Sequence, residues 1–139
     1  MRVFVYYIGR AKEAHANAIA EDFVGRTAKF CACEMREINP LKFDVRARHP
    51  AARKIYLDPA GKEMDSSQFS RVFADAEMNG QDLVFLVGAH EGLTAAQRAE
   101  ADVLLSLSRM TWPHELARAM LAEQIYRAFA MLRKHPYVR

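Results

Sequence analysis

Leu83-Val84-Phe85-Leu86-Val87 is an unbroken run of five apolar side chains, entered from Asp82 and left through Gly88-Ala89-His90-Glu91-Gly92. A strand wet on one face alternates polar and apolar residues, so a run without alternation must be covered on both, as in the centre of a parallel sheet. Parallel neighbours cannot be joined by tight hairpins, so the rest of the chain has to supply crossover helices. Strand-like segments stand at Arg2–Gly9, Glu34–Ile38, Lys54–Asp58 and Val103–Leu107, and helical periodicity falls between them. From Lys12 to Phe30 the positions Ala16, Ile19, Phe23, Thr27 and Phe30 predict one buried stripe. Ser66–Asn79 has Ser residues to cap its start and Gly80 to stop it, and Thr94 opens a short helix to Ala101. A last helix carries Leu116, Met120, Leu121, Ile125, Ala128, Phe129 and Leu132 as a broad apolar stripe. Pro59-Ala60-Gly61 is expected to end the third strand, and Leu41–Arg53, with Lys42, Arg46, Arg48 and Arg53, to be an exposed, mobile connection. The expectation is an α/β fold with a mostly parallel sheet flanked by helices, in one domain over residues 1–139. In such folds ligands sit beyond the strand C-termini, here the loops after Leu57, Val87 and Leu107.

With 139 residues, 51% apolar and 27% charged, the chain suits one core. A net charge of +3 admits an anionic partner without requiring one. The uncharged stretches fall far short of the roughly 20 apolar residues that span a bilayer, and no charged-then-apolar leader opens the chain, so the expectation is no membrane and a cytoplasmic location. Cys31 and Cys33 make a poor disulfide at that spacing; they are expected to be free thiols, with no metal, since no second pair or His cluster completes four ligands.

The Gly88–Gly92 loop could admit a ligand against main-chain N–H groups, but it is neither G-x-G-x-x-G nor a P-loop, and an ordinary turn reads as well. His90, His114 and His135 flank glycine- or proline-containing loops where an imidazole could act, or simply be solvated. Nothing matches H-E-x-x-H or a nucleophile elbow, which disfavours zinc and serine hydrolases. Residues 109–139 hold six cations and two carboxylates, a local +4 that exceeds the whole chain's +3. With Trp112 and Tyr137 interleaved, that composition suits RNA phosphates and bases, or equally a solvated helix face.

Four ordered segments, Phe85–Leu93, Leu105–Arg118, Glu123–Ala128 and His135-Pro136-Tyr137, resemble the RlmH family of bacterial large-subunit ribosomal RNA methyltransferases, of the SPOUT class. The resemblance implies a SPOUT-type fold with a C-terminal trefoil knot, an exception to the rule that chains avoid knots. It also implies a homodimer, S-adenosylmethionine as cofactor, and methyl transfer to N3 of a pseudouridine in large-subunit (23S) rRNA on the assembled ribosome. By motif, Leu57, Gly88, Leu107, Ser108, Arg109, Met110, Thr111 and Trp112 are expected to line the cofactor site, and His135, Tyr137, Arg118 and His114 to be the catalytic candidates. Where members commonly read Gly-Gly-Pro-Glu-Gly this chain has Gly88-Ala89-His90-Glu91-Gly92, and Val138 replaces the final histidine of a His-Pro-Tyr-His tail. The connection between Ile38 and Lys54 is also short, without the helix familiar members carry. The alternatives are a knotted RNA-binding or ribosome-associated protein without methyl transfer, and a nucleotide-binding domain with no RNA role.

Overall fold

The computed structural model describes residues 1–138. In chain order the elements are β1 (Val3–Ile8), α1 (Ala14–Thr27), β2 (Cys33–Ile38), α2 (Val45–Arg48), β3 (Arg53–Glu63), α3 (Ser66–Asn79), β4 (Leu83–Val87), α4 (Ala95–Glu100), β5 (Val103–Ser106) and α5 (His114–Leu132). The strands form one sheet in the order β2-β1-β4-β3-β5, and every pairing is parallel. The apolar run is the central strand β4, buried along its whole length. Alternate residues go to opposite faces. Leu83, Phe85 and Val87 join Val3, Val5 and Ile55 against Phe69, Phe73, Leu121 and Phe129 of α3 and α5. Val84 and Leu86 face a thinner layer with Phe4, Tyr6, Tyr56, Val45 and Leu93. α1 lies outside α5, where Ala20 meets Ala119 and Ala122; these small side chains let the two helices approach closely.

Three expectations are corrected. The stripe of α1 is rotated from the one periodicity suggested: Ala16, Ala20 and Thr27 are buried, whereas Ile19 is 47% exposed. The alanine face of α5 selects small partners, and the larger apolar side chain is turned outward. Pro59-Ala60-Gly61 does not end β3, which continues to Glu63 through a bulge at which Leu105 of β5 pairs with both Leu57 and Lys62. A bulge tolerates proline because the ladder is interrupted there. The 41–53 connection is packed onto the sheet: it forms α2, buries Val45 and Ala52, and is held by a 2.6 Å hydrogen bond between His49 Nε2 and the Tyr6 hydroxyl. The bounds of α3 are those expected, but its cap is Asp65, in a reciprocal box with Gln68, and not a serine.

Candidate functional site

The bulge in β3, the turn after β4 and the loop after β5 enclose a cavity of about 660 Å³, closed on one side by the first turn of α5. Its walls are shaped by backbone. After β4 the chain folds back at once, with Gly92 N donating to Ala89 O at 2.9 Å and Gly92 at φ +77°. A Cβ on Gly88 would stand 2.9 Å from the Gly92 carbonyl carbon, so only glycine fits there. After β5, Ser106 Oγ donates to Ser108 O at 2.8 Å and Met110 N donates to Ser108 Oγ at 3.0 Å, which fixes the loop from within.

Of the eight residues expected at a cofactor, Leu57, Gly88, Leu107, Ser108, Met110, Thr111 and Trp112 line this cavity, and Arg109 does not. The Trp112 indole N–H is buried without an acceptor, a donor left for a ligand to satisfy. Sequence reasoning missed Asp58, a buried carboxylate in the wall that accepts from Ala60 N at 2.8 Å and from Arg98 Nε at 2.6 Å. The pair ties the β3 bulge to α4. Its only sequence signal is an aspartate at a strand end with an arginine 40 residues away.

The four catalytic candidates separate. His114 lines the cavity, as does His90. Arg118 is 1% exposed and lies outside the cavity wall. Its guanidinium stacks 3.6 Å from the Tyr7 ring centroid, donates to Asn17 Oδ1 and approaches Glu115, so it joins α5 to β1 and α1. Burial pushes its pKa down. Beside it, Glu115 accepts from the Lys12 amide at 2.6 Å, from the Glu13 amide and from the Asn17 side chain. With the Asn17 side chain first, and the two amides after it, these bonds hold the Glu115 carboxyl down to about 2.

His135 and Tyr137 lie beyond the C-terminal end of α5. Its 19 residues climb about 28 Å at 1.5 Å per residue, leading away from the cavity. The Tyr137 hydroxyl turns back to donate to Glu123 Oε2 at 2.5 Å, its ring packs on Tyr126, and His135 packs edge-on against Phe30 and Tyr126. Burial first, then the Glu123 carboxylate, raises the Tyr137 pKa. His135 Nδ1 accepts from the Tyr137 amide at 3.1 Å, which assigns the ring proton to Nε2 in the neutral tautomer.

Among the described residues no three His, Cys, Asp or Glu side chains come together as metal ligands, and no helix is long and apolar enough to cross a membrane. Both cysteines are free. Burial lifts Cys31 to about 11 and Cys33 to about 12.

The chain is 60% identical, over all 139 residues and the full length of both proteins, to the ribosomal RNA large subunit methyltransferase H of Solibacter usitatus. It is 36% identical to the protein of that name from Thioalkalivibrio sulfidiphilus, in an alignment 155 positions long that covers 100% of this chain and 99% of the other. A probable methylase family protein from Haemophilus influenzae superposes with a TM-score of 0.65 at 7% identity, covering 99% of this chain and 70% of that one. The methyltransferase AviRb of Streptomyces viridochromogenes, solved with AdoMet, superposes at 0.59 with 13% identity, over 91% of this chain and 57% of that one. The family model described as "Predicted SPOUT methyltransferase" matches residues 1–137, so the chain, five parallel strands with a loop-walled cavity at their C-terminal ends, belongs to the SPOUT methyltransferases.

Proposed function

We propose that the protein is an S-adenosylmethionine-dependent methyltransferase that modifies N3 of a pseudouridine in large-subunit ribosomal RNA, on the assembled ribosome and therefore in the cytoplasm, as a homodimer with its C-terminal segment threaded as a trefoil knot. The observation that carries the reading is the cavity. It has the size of a small-molecule site, its walls are mostly apolar, and one buried indole donor lacks a partner. Those features suit the adenosine part of the cofactor, whose purine packs on apolar walls and accepts a hydrogen bond from a buried donor. Asp58 is already occupied by Arg98.

The cofactor supplies an electrophilic methyl group, and the chain's task is to align a nucleophile with it and to manage the N3 proton. His114 is well placed on the cavity wall to accept that proton. His135 is suited to donate from Nε2 to the developing anion, since its Nδ1 is engaged by Tyr137 N. Tyr137, raised and donating to Glu123, stays a neutral phenol near pH 7 and positions the tail. Because α5 carries the tail away from its own cavity, His135 acts on the cavity of a second protomer, which is the reason for the dimer. Arg118 acts by holding α5 against α1, as a positioning residue.

Titration calorimetry with S-adenosylmethionine, followed by methyl incorporation into ribosomes lacking this modification, tests the proposal. Wild type binds and transfers, and Gly88→Val binds at least tenfold more weakly while remaining folded. A cofactor that binds without transfer favours the second reading, an RNA-binding protein without turnover, for which Val138 at the tail is the specific observation. No binding refutes both the cavity assignment and the enzyme.

A further inference from the structure

The thinner face of the sheet carries three arginines that stack on aromatic rings without a carboxylate partner among the described residues. Arg26, Arg98, Arg118, Arg127 and Arg133 all have carboxylate partners. Arg2, Arg36 and Arg48 have none among the described residues; aromatic rings hold them instead. Arg36 and Arg48 each stand 4.9 Å from the centroid of the Phe43 ring, and Arg2 stands 5.4 Å from that of Phe4. The rings are braced in turn. Phe43 packs 4.9 Å from Tyr6, Phe4 packs 4.5 Å from His49, and His49 is hydrogen-bonded to the Tyr6 hydroxyl. All three arginines are exposed.

A guanidinium lying on a ring keeps its N–H edges free, and its place is fixed before any partner arrives. That arrangement matches planar, bidentate recognition of phosphate better than a flexible surface cation does. Five carboxylates, Glu34, Asp44, Asp82, Glu100 and Asp102, share this face, and three of them are engaged by backbone amides. Asp44 caps α2 through Ala47 N, Asp82 accepts from the Arg2 amide, and Glu34 is exposed. Since Arg36 and Arg48 share one ring, their central carbons lie within about 10 Å of each other, a length over which a nucleic-acid duplex presents roughly six phosphate charges.

We propose that Arg36, Arg48 and Arg2, mounted on Phe43, Tyr6 and Phe4, form a phosphate-binding surface for the RNA backbone, separate from the cavity and on the sheet face opposite α3 and α5. It grips a helical arm of the RNA away from the target base. The inference deepens the proposed function and rests on it for the identity of the RNA, but its test does not need methyl transfer. The surface falls where the β2–β3 connection contains a single helical turn, with Phe43 half-buried on it and Phe4 and Tyr6 buried beneath the arginines.

The full-length protein carrying Arg36→Gln and Arg48→Gln is compared with wild type and with Arg71→Gln, an exposed cation on α3 at the opposite face. Binding of a fluorescent RNA hairpin of about 20 base pairs is read by anisotropy across a salt series, with S-adenosylmethionine affinity measured in parallel. The double variant loses roughly tenfold in RNA affinity near 0.1 M salt, and the slope of log K against log salt falls by about 1.5 to 2. Arg71→Gln keeps the wild-type slope, and cofactor affinity is unchanged in both. Phe43→Ala, which keeps every charge, loses affinity by a smaller factor because the guanidiniums are released. A double variant with wild-type slope, a wild type that does not bind the hairpin, or a loss seen with polyglutamate but not with RNA overturns the proposal. If the hairpin result holds and ribosomes are not methylated by wild type, the proposed function fails and this surface stands.

Discussion

Replacing Gly61 by alanine and Gly25 by alanine makes the same chemical change at two places and moves stability in opposite directions. Gly61 sits in the β3 bulge, where a Cβ would lie 2.5 Å from Leu104 O, 2.6 Å from its carbonyl carbon and 2.8 Å from Leu105 N. All three are backbone atoms of β5, so no side chain can swing aside. To restore the 3.4 Å at which ordinary contact begins, β5 must retreat by about 0.9 Å. Overpacking of that kind costs ~1–3 kcal/mol, and a weakened ladder hydrogen bond adds ~1 kcal/mol, for a total of ~2–4 kcal/mol. Gly25 has nothing within 4 Å of its Cβ position and lies in the last turns of α1. There alanine stabilises by ~0.5 kcal/mol through helix propensity and a less flexible unfolded chain. In urea, with m of ~2 kcal/mol/M, Gly61→Ala lowers the midpoint by about 1–2 M, and Gly25→Ala leaves it equal or slightly higher. Protein concentration is held fixed, because in the proposed dimer apparent stability depends on it. Since β5 and the loop after it carry Leu105, Ser106 and Leu107 in the cavity wall, cofactor affinity falls with stability in the first variant only. A Gly61→Ala midpoint at or above that of Gly25→Ala refutes the steric argument.

The Glu115 carboxyl, held down to about 2 by Asn17 and the amides of Lys12 and Glu13, contributes stability that is present above its unfolded value near 4.5 and is lost as pH falls through the folded value. Glu115→Gln therefore flattens the acid limb of a stability profile between about pH 4.5 and 2 and removes little of its pH dependence above 6, as circular dichroism across pH will show. Cys31 and Cys33, lifted to about 11 and 12 by burial, stay unreactive toward a disulfide reagent at pH 8 and titrate as two thiols in denaturant; fast labelling of the native protein contradicts this. Phe129→Ala empties a fully buried site between Phe73 and Phe30 and lowers stability by ~3–5 kcal/mol in chemical denaturation. Tyr137→Phe removes the hydroxyl that donates to Glu123 and lowers kcat on ribosomes with little change in S-adenosylmethionine affinity; a change in affinity alone counts against the trans-acting tail.

What could be read from the sequence follows the range of the forces involved. The β4 run and the C-terminal end of α3 were legible because burial on both faces and a left-handed Gly80 at φ +60° are written within a few residues, whereas at the start of α3 the serines drew the reading away from Asp65, the residue that caps it with Gln68. The orientation of α1 was not. Whether Ile19 or Ala20 points inward depends on Ala119 and Ala122, about 100 positions away. The β3 bulge escaped for a similar reason, since it exists only relative to β5, and proline followed by glycine reads locally as an ending. Strand ends located the three cavity loops, and motif resemblance supplied their residues. Neither could separate His114, on the cavity wall, from Arg118, four residues and one helical turn further and facing Tyr7.

The cavity also sets an order on the way the chain can fold. Its three walls leave the sheet at β3, β4 and β5, and the β3 wall takes its shape only after β5 has paired beside it. Meanwhile β4, at the centre, must pair with β1 some 80 residues earlier in the chain. Parallel pairings over such separations close late and slowly, because loop entropy is lost before the contacts that offset it are made. Refolding should therefore regain helical signal first and ligand binding last, and a nascent chain that ends at Leu107 lacks both the Ser108–His114 wall of the cavity and the α5 side chains that cover one face of its sheet.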